Sequence, residues 1–148
     1  MRKTASSPLR GQTLVEFALI IPAFILLTVV IFDFGRAVYY SSAVHNAARE
    51  GARAGIVNPD NFSAMESASI EYAVGLGLNP TNVDAYPGPP EWVGTQENYT
   101  VKVIVTYCFA PVTPLVELFI PDDPDCNGKY LKLVGEAIMR TEAKPTNP

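Results

Sequence analysis

The sequence has 148 residues, of which 48% are hydrophobic, and it carries 15 Asp+Glu against 11 Lys+Arg, a formal net charge of −4. This length accommodates one modest domain together with one membrane segment. With 2 cysteines and 1 histidine, a His-rich metal site, a haem site and a Cys-rich scaffold are all disfavoured. The acidic balance also disfavours nucleic-acid binding, because a phosphate backbone requires a Lys/Arg surface.

The amino end has the pattern of a membrane insertion signal. The first ten residues carry three cations and no acid, and the predominantly apolar run Leu14–Phe32 follows. As a helix this run spans about 28 Å, close to the thickness of a bilayer core. The positive-inside rule then places the N-terminus in the cytoplasm and everything after the run outside. We therefore predict a protein inserted N-in and C-out.

Two other interpretations of this segment compete. One is a cleaved signal peptide, with Ser41-Ser42-Ala43 as the cutting site. Three features disfavour it: the apolar run is longer than a usual signal core, it contains Glu16, and Asp33 with Arg36 separates it from that site. The other interpretation is a plain membrane anchor.

Glu16 is the residue that distinguishes these interpretations. A carboxylate within an apolar segment costs a few kcal/mol, so it is expected to be neutral or to have a partner. The surrounding residues, Gly11-Gln12 upstream and Phe17 directly after, resemble the processing site of type IV prepilins. In that site a membrane peptidase cuts after the glycine and a glutamate stands fifth in the mature chain. The resemblance implies a cut between Gly11 and Gln12; the alternative is a carboxylate that reaches the lipid headgroups.

The resemblance also implies a role for Glu16 in assembly. The α-amino group released at Gln12 is cationic near neutral pH, and the glutamate of a neighbouring subunit can neutralise it inside an apolar filament core. Such a pair lowers the penalty of burying both charges and fixes the axial register of adjacent helices. The cut would also remove all three leader cations and leave a more acidic exported chain.

Helical periodicity continues beyond the apolar run. The stretch Asp33–Ala54 contains no proline, and its apolar residues recur at helical spacing. The sequence predicts one continuous helix of about 40 residues that ends near Gly55 and is kinked at Pro22. The small-residue spacing between Gly51 and Gly55 predicts close packing on the domain's own sheet. The single histidine, His45, is expected to be a surface or packing residue.

The remaining elements predict a small antiparallel sheet. In chain order they are a helix opened by a capping box at Ser63–Glu66 and ending near Gly75–Gly77, a short strand Val83–Tyr86, a loop Pro87–Pro90, a strand Tyr99–Tyr107, a short helix Thr113–Phe119 and a long strand Lys129–Glu142. A long N-terminal helix packed on such a sheet is an α+β fold.

Five pieces of sequence, in order, carry a resemblance to a family. They are Glu16-Phe17, Asn46–Arg53, Tyr107–Phe109, Pro111–Leu115 and Ala137–Glu142. Together they resemble the TadE-like family of tight-adherence (Flp-type) pilus proteins. The resemblance implies a pilin-like or pseudopilin subunit that is inserted in the inner (cytoplasmic) membrane and processed by a prepilin peptidase. Its other partners would be an inner-membrane assembly platform and copies of itself or a major pilin, in a filament at the cell surface.

This resemblance divides the chain into three parts. Residues 1–11 are the predicted leader, 12–33 the membrane-spanning and filament-core helix, and 34–148 the exported α+β domain. Gly11 and Gln12 are the processing residues, while Glu16, Phe17 and Pro22 belong to assembly. Cys108 departs from the pattern expected of the family.

The two cysteines lie in the predicted exported domain, where disulfides persist. A Cys108–Cys126 bridge would close a loop of 19 residues and tie a strand end to an acidic loop; two free thiols are the alternative. The three aspartates of that loop, Asp122, Asp123 and Asp125, lack the spacing of a calcium-binding EF-hand. We expect a solvated acidic loop.

The sequence has no motif for catalysis. It lacks a Gly-x-Ser-x-Gly elbow, a phosphate-binding loop, a dinucleotide fingerprint and a His-Glu-x-x-His motif. We therefore predict no catalytic residue, no cofactor and no metal, and a structural role in filament assembly. The alternative function is a bitopic membrane protein whose exported domain binds a ligand or partner.

Overall fold

The computed structural model describes residues 10–93, 96–113, 116, 120–142 and 144. Most of the predicted leader and most of the predicted Thr113–Phe119 helix therefore lie outside the described residues. The elements are α1 (Arg10–Ala54), α2 (Phe62–Tyr72), a 3₁₀ turn (Pro80–Asn82), β1 (Val83–Pro87), β2 (Glu91–Val93), β3 (Gln96–Asn98), β4 (Thr100–Phe109) and β5 (Leu131–Arg140). We call the chain from residue 40 onwards the head.

The first helix is continuous over 45 residues, as predicted, and includes Pro22. Its first half is apolar on every side, whereas its second half is amphipathic and buries one face. That face consists of Val44, Ala47, Ala48 and Ala52, which are fully buried. The helix ends directly before Gly55, and its second half forms one layer of the head.

The other layer is a three-stranded antiparallel sheet of order β1-β4-β5. The central strand β4 alternates as the sequence predicts, and its inward side chains Val101, Val103 and Val105 are fully buried. In the observed register Val103 lies between Ala85 of β1 and Ala137 of β5. These inward residues join the buried face of α1 in one core, which confirms the predicted α+β arrangement.

Glycines let the layers approach closely. A Cβ on Gly135 of β5 would lie 2.5 Å from the carbonyl oxygen of Val44, so this strand crosses α1 almost backbone to backbone. A Cβ on Gly51 of α1 would lie 2.9 Å from the carbonyl oxygen of Met65 in α2 and 3.2 Å from a methyl of Val103. The prediction that the small-residue spacing serves packing within the domain is confirmed, with α2 as an additional partner.

The start of α2 differs from the prediction. The helix begins at Phe62, and the side chain of Asn61 caps it by accepting a hydrogen bond from the amide of Ala64 at 3.1 Å. The predicted capping box at Ser63 is therefore wrong. Asparagine caps helices as well as serine does, and Asn61, two residues before Ser63, is the residue that caps α2. The helix also ends at Tyr72, several residues before the glycine signals.

Two further details were not predicted. The hairpin formed by β2 and β3 lies within a segment whose short strands give little alternation. Pro87, expected in a loop, is the last residue of β1 and pairs with Val101. This placement is compatible with proline because β1 is an edge strand, where an amide donor is not required.

Candidate assembly helix and its junction with the head

The first half of α1 is exposed along its whole circumference. Residues 11–27 are all exposed, and the side chains include Phe17 at 61%, Phe24 at 66% and Leu19 at 73%. An 18-residue window of this helix has a mean hydropathy of 2.7 and none of it is buried. A helix that is apolar on all sides and unburied by its own chain needs an external apolar environment. Among the described residues, α1 is thus the one helix long and apolar enough to cross a membrane.

The predicted processing and register residues lie on the first two turns of α1. Gly11, Gln12 and Glu16 line one shallow concavity together with Val15 and Leu19. Gln12 and Glu16 are four residues apart and therefore share a helix face. No salt bridge between described residues includes Glu16.

Asp33 marks the junction between the exposed half of α1 and the head. Asp33 directly follows the apolar run, yet it is only 5% exposed. Both carboxylate oxygens accept from the amide of Val112 at 3.1 Å, and one also accepts from the amide of Thr113 at 2.8 Å and from the Thr113 hydroxyl. Arg36, one turn along, pairs with the same carboxylate at 3.4 Å. The carboxylate therefore fastens the loop after β4 to α1.

An aromatic cluster covers the other side of Arg36. Its guanidinium lies 5.7 Å from the ring centroid of Tyr40 and 5.3 Å from that of Phe109. The Tyr40 ring also meets Tyr107 edge to face, with centroids 5.4 Å apart. Burial raises the pKa of Tyr107, nearby Tyr40 adds to this, and Arg36 opposes it. The junction is thus a packed, partly dehydrated contact.

Sequence reasoning missed the role of Asp33, which it treated as a charge beyond the end of the apolar run. One signal was available: Asp33 is the sole acidic residue between Glu16 and Glu50, and Arg36 follows it at helical spacing. Its partners could not be identified because they lie 79 and 80 residues away in sequence.

The structure confirms the predicted disulfide. Cys108 and Cys126 are bridged, with their Cα atoms 5.7 Å apart. The bridge ties the end of β4 to a tight turn closed by the Asp123 amide and the Gly128 carbonyl at 3.1 Å. Within the described part of the chain, no group of three or more His, Cys, Asp or Glu residues is arranged to hold a metal ion.

In a comparison with known protein families, one family model matches α1. The family model described as TadE-like protein matches residues 11–53. No curated protein and no solved structure matches the chain. The matched segment begins at Gly11 and ends one residue before the end of α1. The resemblance to the TadE-like family is therefore confirmed over this helix, and the chain fits a pilus-associated membrane protein.

Proposed function

We propose that this chain is a pilin or minor pilin (pseudopilin) of a tight-adherence, type IV-like pilus. Before assembly, α1 spans the inner membrane with the N-terminus in the cytoplasm and the head outside. Prepilin peptidase cuts between Gly11 and Gln12. The processed subunit then joins copies of itself or a major pilin at the inner-membrane assembly platform, and the filament extends from the cell surface.

The observation that carries this proposal is where the family match begins. It starts at Gly11, the residue after which the prepilin-like site places the cut, and it covers almost the whole of α1. Residues 1–10 of the proposed leader are thus outside the match, whereas Gly11 and the entire proposed assembly helix are inside it. This division is expected if the family shares the processed part of the chain.

The exposed half of α1 supports an assembly role, because its apolar surface must be covered first by lipid in the membrane and then by other subunits in the filament. Residues 11–27 are all exposed, so in the membrane their apolar surface contacts lipid. A subunit that leaves the membrane must cover the same surface again, since its exposure to water costs about 25 cal/mol per Å². Helices of neighbouring subunits provide that cover.

Glu16 supplies the charge that fixes the register of those helices. After processing, the amino group of Gln12 is a cation at the tip of an apolar helix. In the filament core the carboxylate of a neighbour's Glu16 neutralises it. Removing one partner from a buried ion pair leaves an unpaired charge and costs about 3–5 kcal/mol.

Processing is tested by expressing full-length variants together with a prepilin peptidase. Gly11→Leu blocks the cut, so the chain retains its leader. Gly35→Leu is the matched control, because a Cβ at either glycine meets nothing within 4 Å and both lie on α1. The intact mass of each purified protein reports the result. Removal of the leader from Gly11→Leu as efficiently as from the control contradicts the proposal.

Assembly is tested separately with Glu16→Gln, which keeps the side chain's size and removes its charge. We expect normal processing but at least a tenfold loss from the filament fraction, with Glu16→Asp partly restoring assembly. Glu71→Gln, an exposed position on α2, is the control for charge loss and leaves assembly unchanged. If the chain is instead a bitopic protein with a binding domain, Gly11→Leu and Glu16→Gln both leave its function intact.

A further inference from the structure

We infer that the loop Ala110–Thr113 is a membrane-contacting rim of the head, held at bilayer depth by Asp33, with Val112 inserted among the lipids. The partner is the interfacial layer of the bilayer that α1 crosses. This inference requires only that α1 spans a membrane, so it is independent of processing and of filament assembly.

Asp33 fixes the position of the loop along the axis of α1. Helical side chains tilt toward the N-terminus of their helix, so the Asp33 carboxylate lies beside the preceding turn, the last turn of the apolar run. The amides of Val112 and Thr113 contact that carboxylate at 2.8–3.1 Å. The loop therefore lies level with the end of the membrane segment.

The burial of α1 shows the same overlap independently. Within the apolar run Leu14–Phe32, the residues that are partly covered are Thr28, Val29 and Val30, and the others are exposed. The head thus reaches down over the last part of the run. With a hydrocarbon core of about 30 Å and interfacial layers of about 5–7 Å on each side, this rim lies within or at the edge of the interfacial layer.

The composition of the loop suits that position. Ala110 and Val112 point outward, whereas Pro111 and Thr113 are buried. Val112 is 67% exposed, and Phe32 and Phe34, which flank Asp33 on α1, are 70% and 71% exposed. None of the residues Ala110–Thr113 is charged. The outward face of the loop therefore continues the apolar surface of the membrane helix.

Asp33 supplies hydrogen-bond acceptors to backbone amides of the loop, which have little access to water at this depth. Irregular backbone near the hydrocarbon is tolerated only when protein groups satisfy its hydrogen bonds. The Asp33 carboxylate accepts from the amides of Val112 and Thr113 and from the Thr113 hydroxyl. Asp33 is thus a positioning residue that keeps the loop satisfied where water is scarce.

Fluorescence quenching in liposomes tests the depth of the loop. Full-length Val112→Cys is labelled with an environment-sensitive dye; the native cysteines are bridged and do not react. Val57→Cys is the matched control, since Val57 is 73% exposed and follows the far end of α1, about 30 Å from Asp33 along the helix. The quencher is a phospholipid carrying a nitroxide near the top of its acyl chain.

We expect blue-shifted emission at position 112 and quenching at least threefold stronger than at position 57. Equal, weak quenching at both positions overturns the inference. A blue shift that increases with the protein-to-lipid ratio and is not accompanied by quenching also overturns the inference, because a second copy of the chain then covers Val112.

The role of Asp33 is tested in the same labelled chain. Asp33→Asn and the milder Thr113→Val each reduce the quenching at position 112, while Asp84→Asn, an exposed change on β1, leaves it unchanged. Because Thr113→Val keeps the shape of the residue, it gives a result even if Asp33→Asn does not fold. Unchanged quenching in folded Thr113→Val and Asp33→Asn contradicts the positioning role.

Discussion

Adding a single methyl group at Gly135 is predicted to destabilise the head strongly. Gly135 lies on β5 opposite Val105 of β4, and its Cα faces the backbone of α1. In Gly135→Ala, the new Cβ would lie 2.5 Å from the Val44 carbonyl oxygen, 2.6 Å from the Val44 carbonyl carbon and 2.8 Å from the amide nitrogen of His45. All three contacts are with main-chain atoms, so no side-chain rotation relieves them.

The magnitude follows from two opposing terms. Ordinary van der Waals contact begins at 3.4 Å, so β5 and α1 must separate by most of an ångström around a fully buried residue, Val44. Overpacking of this kind costs about 1–3 kcal/mol, and rigid main-chain neighbours place it near the upper end. Alanine is better than glycine inside a strand by about 0.5–1 kcal/mol. The expected net loss is about 2 kcal/mol.

Urea titration of the full-length protein in detergent micelles, followed by near-ultraviolet circular dichroism, measures this loss as a lower midpoint with an unchanged slope. In thermal unfolding the same loss lowers the Tm by roughly 8–15 °C for a domain of this size. Gly35→Ala is the matched control. A Cβ there meets nothing within 4 Å, and alanine favours the helix, so its stability stays equal or rises by up to about 1 kcal/mol.

A Gly135→Ala variant that is as stable as the parent chain, while Gly35→Ala behaves as expected, would contradict this prediction. That result would mean that β5 does not approach α1 as closely as 2.5 Å implies.

Three smaller changes test other contacts in the same urea assay. Thr113→Val removes the hydroxyl that donates to buried Asp33 and is expected to cost about 1–2 kcal/mol, whereas Thr113→Ser costs less. Replacing Cys108 and Cys126 together by serine, or reducing their bridge, removes a constraint worth about 3 kcal/mol; an unchanged midpoint after reduction would contradict this. Asn61→Ala removes the cap of α2 and costs about 1 kcal/mol, whereas Asn61→Asp, which retains a capping oxygen, leaves the midpoint nearly unchanged.

Much of the fold could be predicted because its signals are local. The continuous helix follows from periodicity and from the absence of proline between Asp33 and Ala54. The central strand follows from the alternation of Val101, Val103 and Val105. The disulfide prediction needed only that the 2 cysteines of the chain lie in one domain that was predicted to be exported. In each case the residues that carry the signal are close in sequence or few in number.

The predictions that failed depended on competing or distant groups. Asn61 and Ser63 are comparable caps, and local composition does not decide between them. The short strands β2 and β3 have 3 residues each, too few to display a period. The partners of Asp33 lie 79 and 80 residues away, so a residue that looks like a surface charge beside a membrane segment is buried at the junction.

The most direct test of the central claim is the intact mass and N-terminal sequence of the native protein in two fractions, the cell envelope and the filaments sheared from the surface. The proposed function predicts a chain that begins at Gln12, is present among sheared filaments and is two mass units lighter than its reduced form. A chain that still begins at Met1 and is confined to the membrane would contradict it.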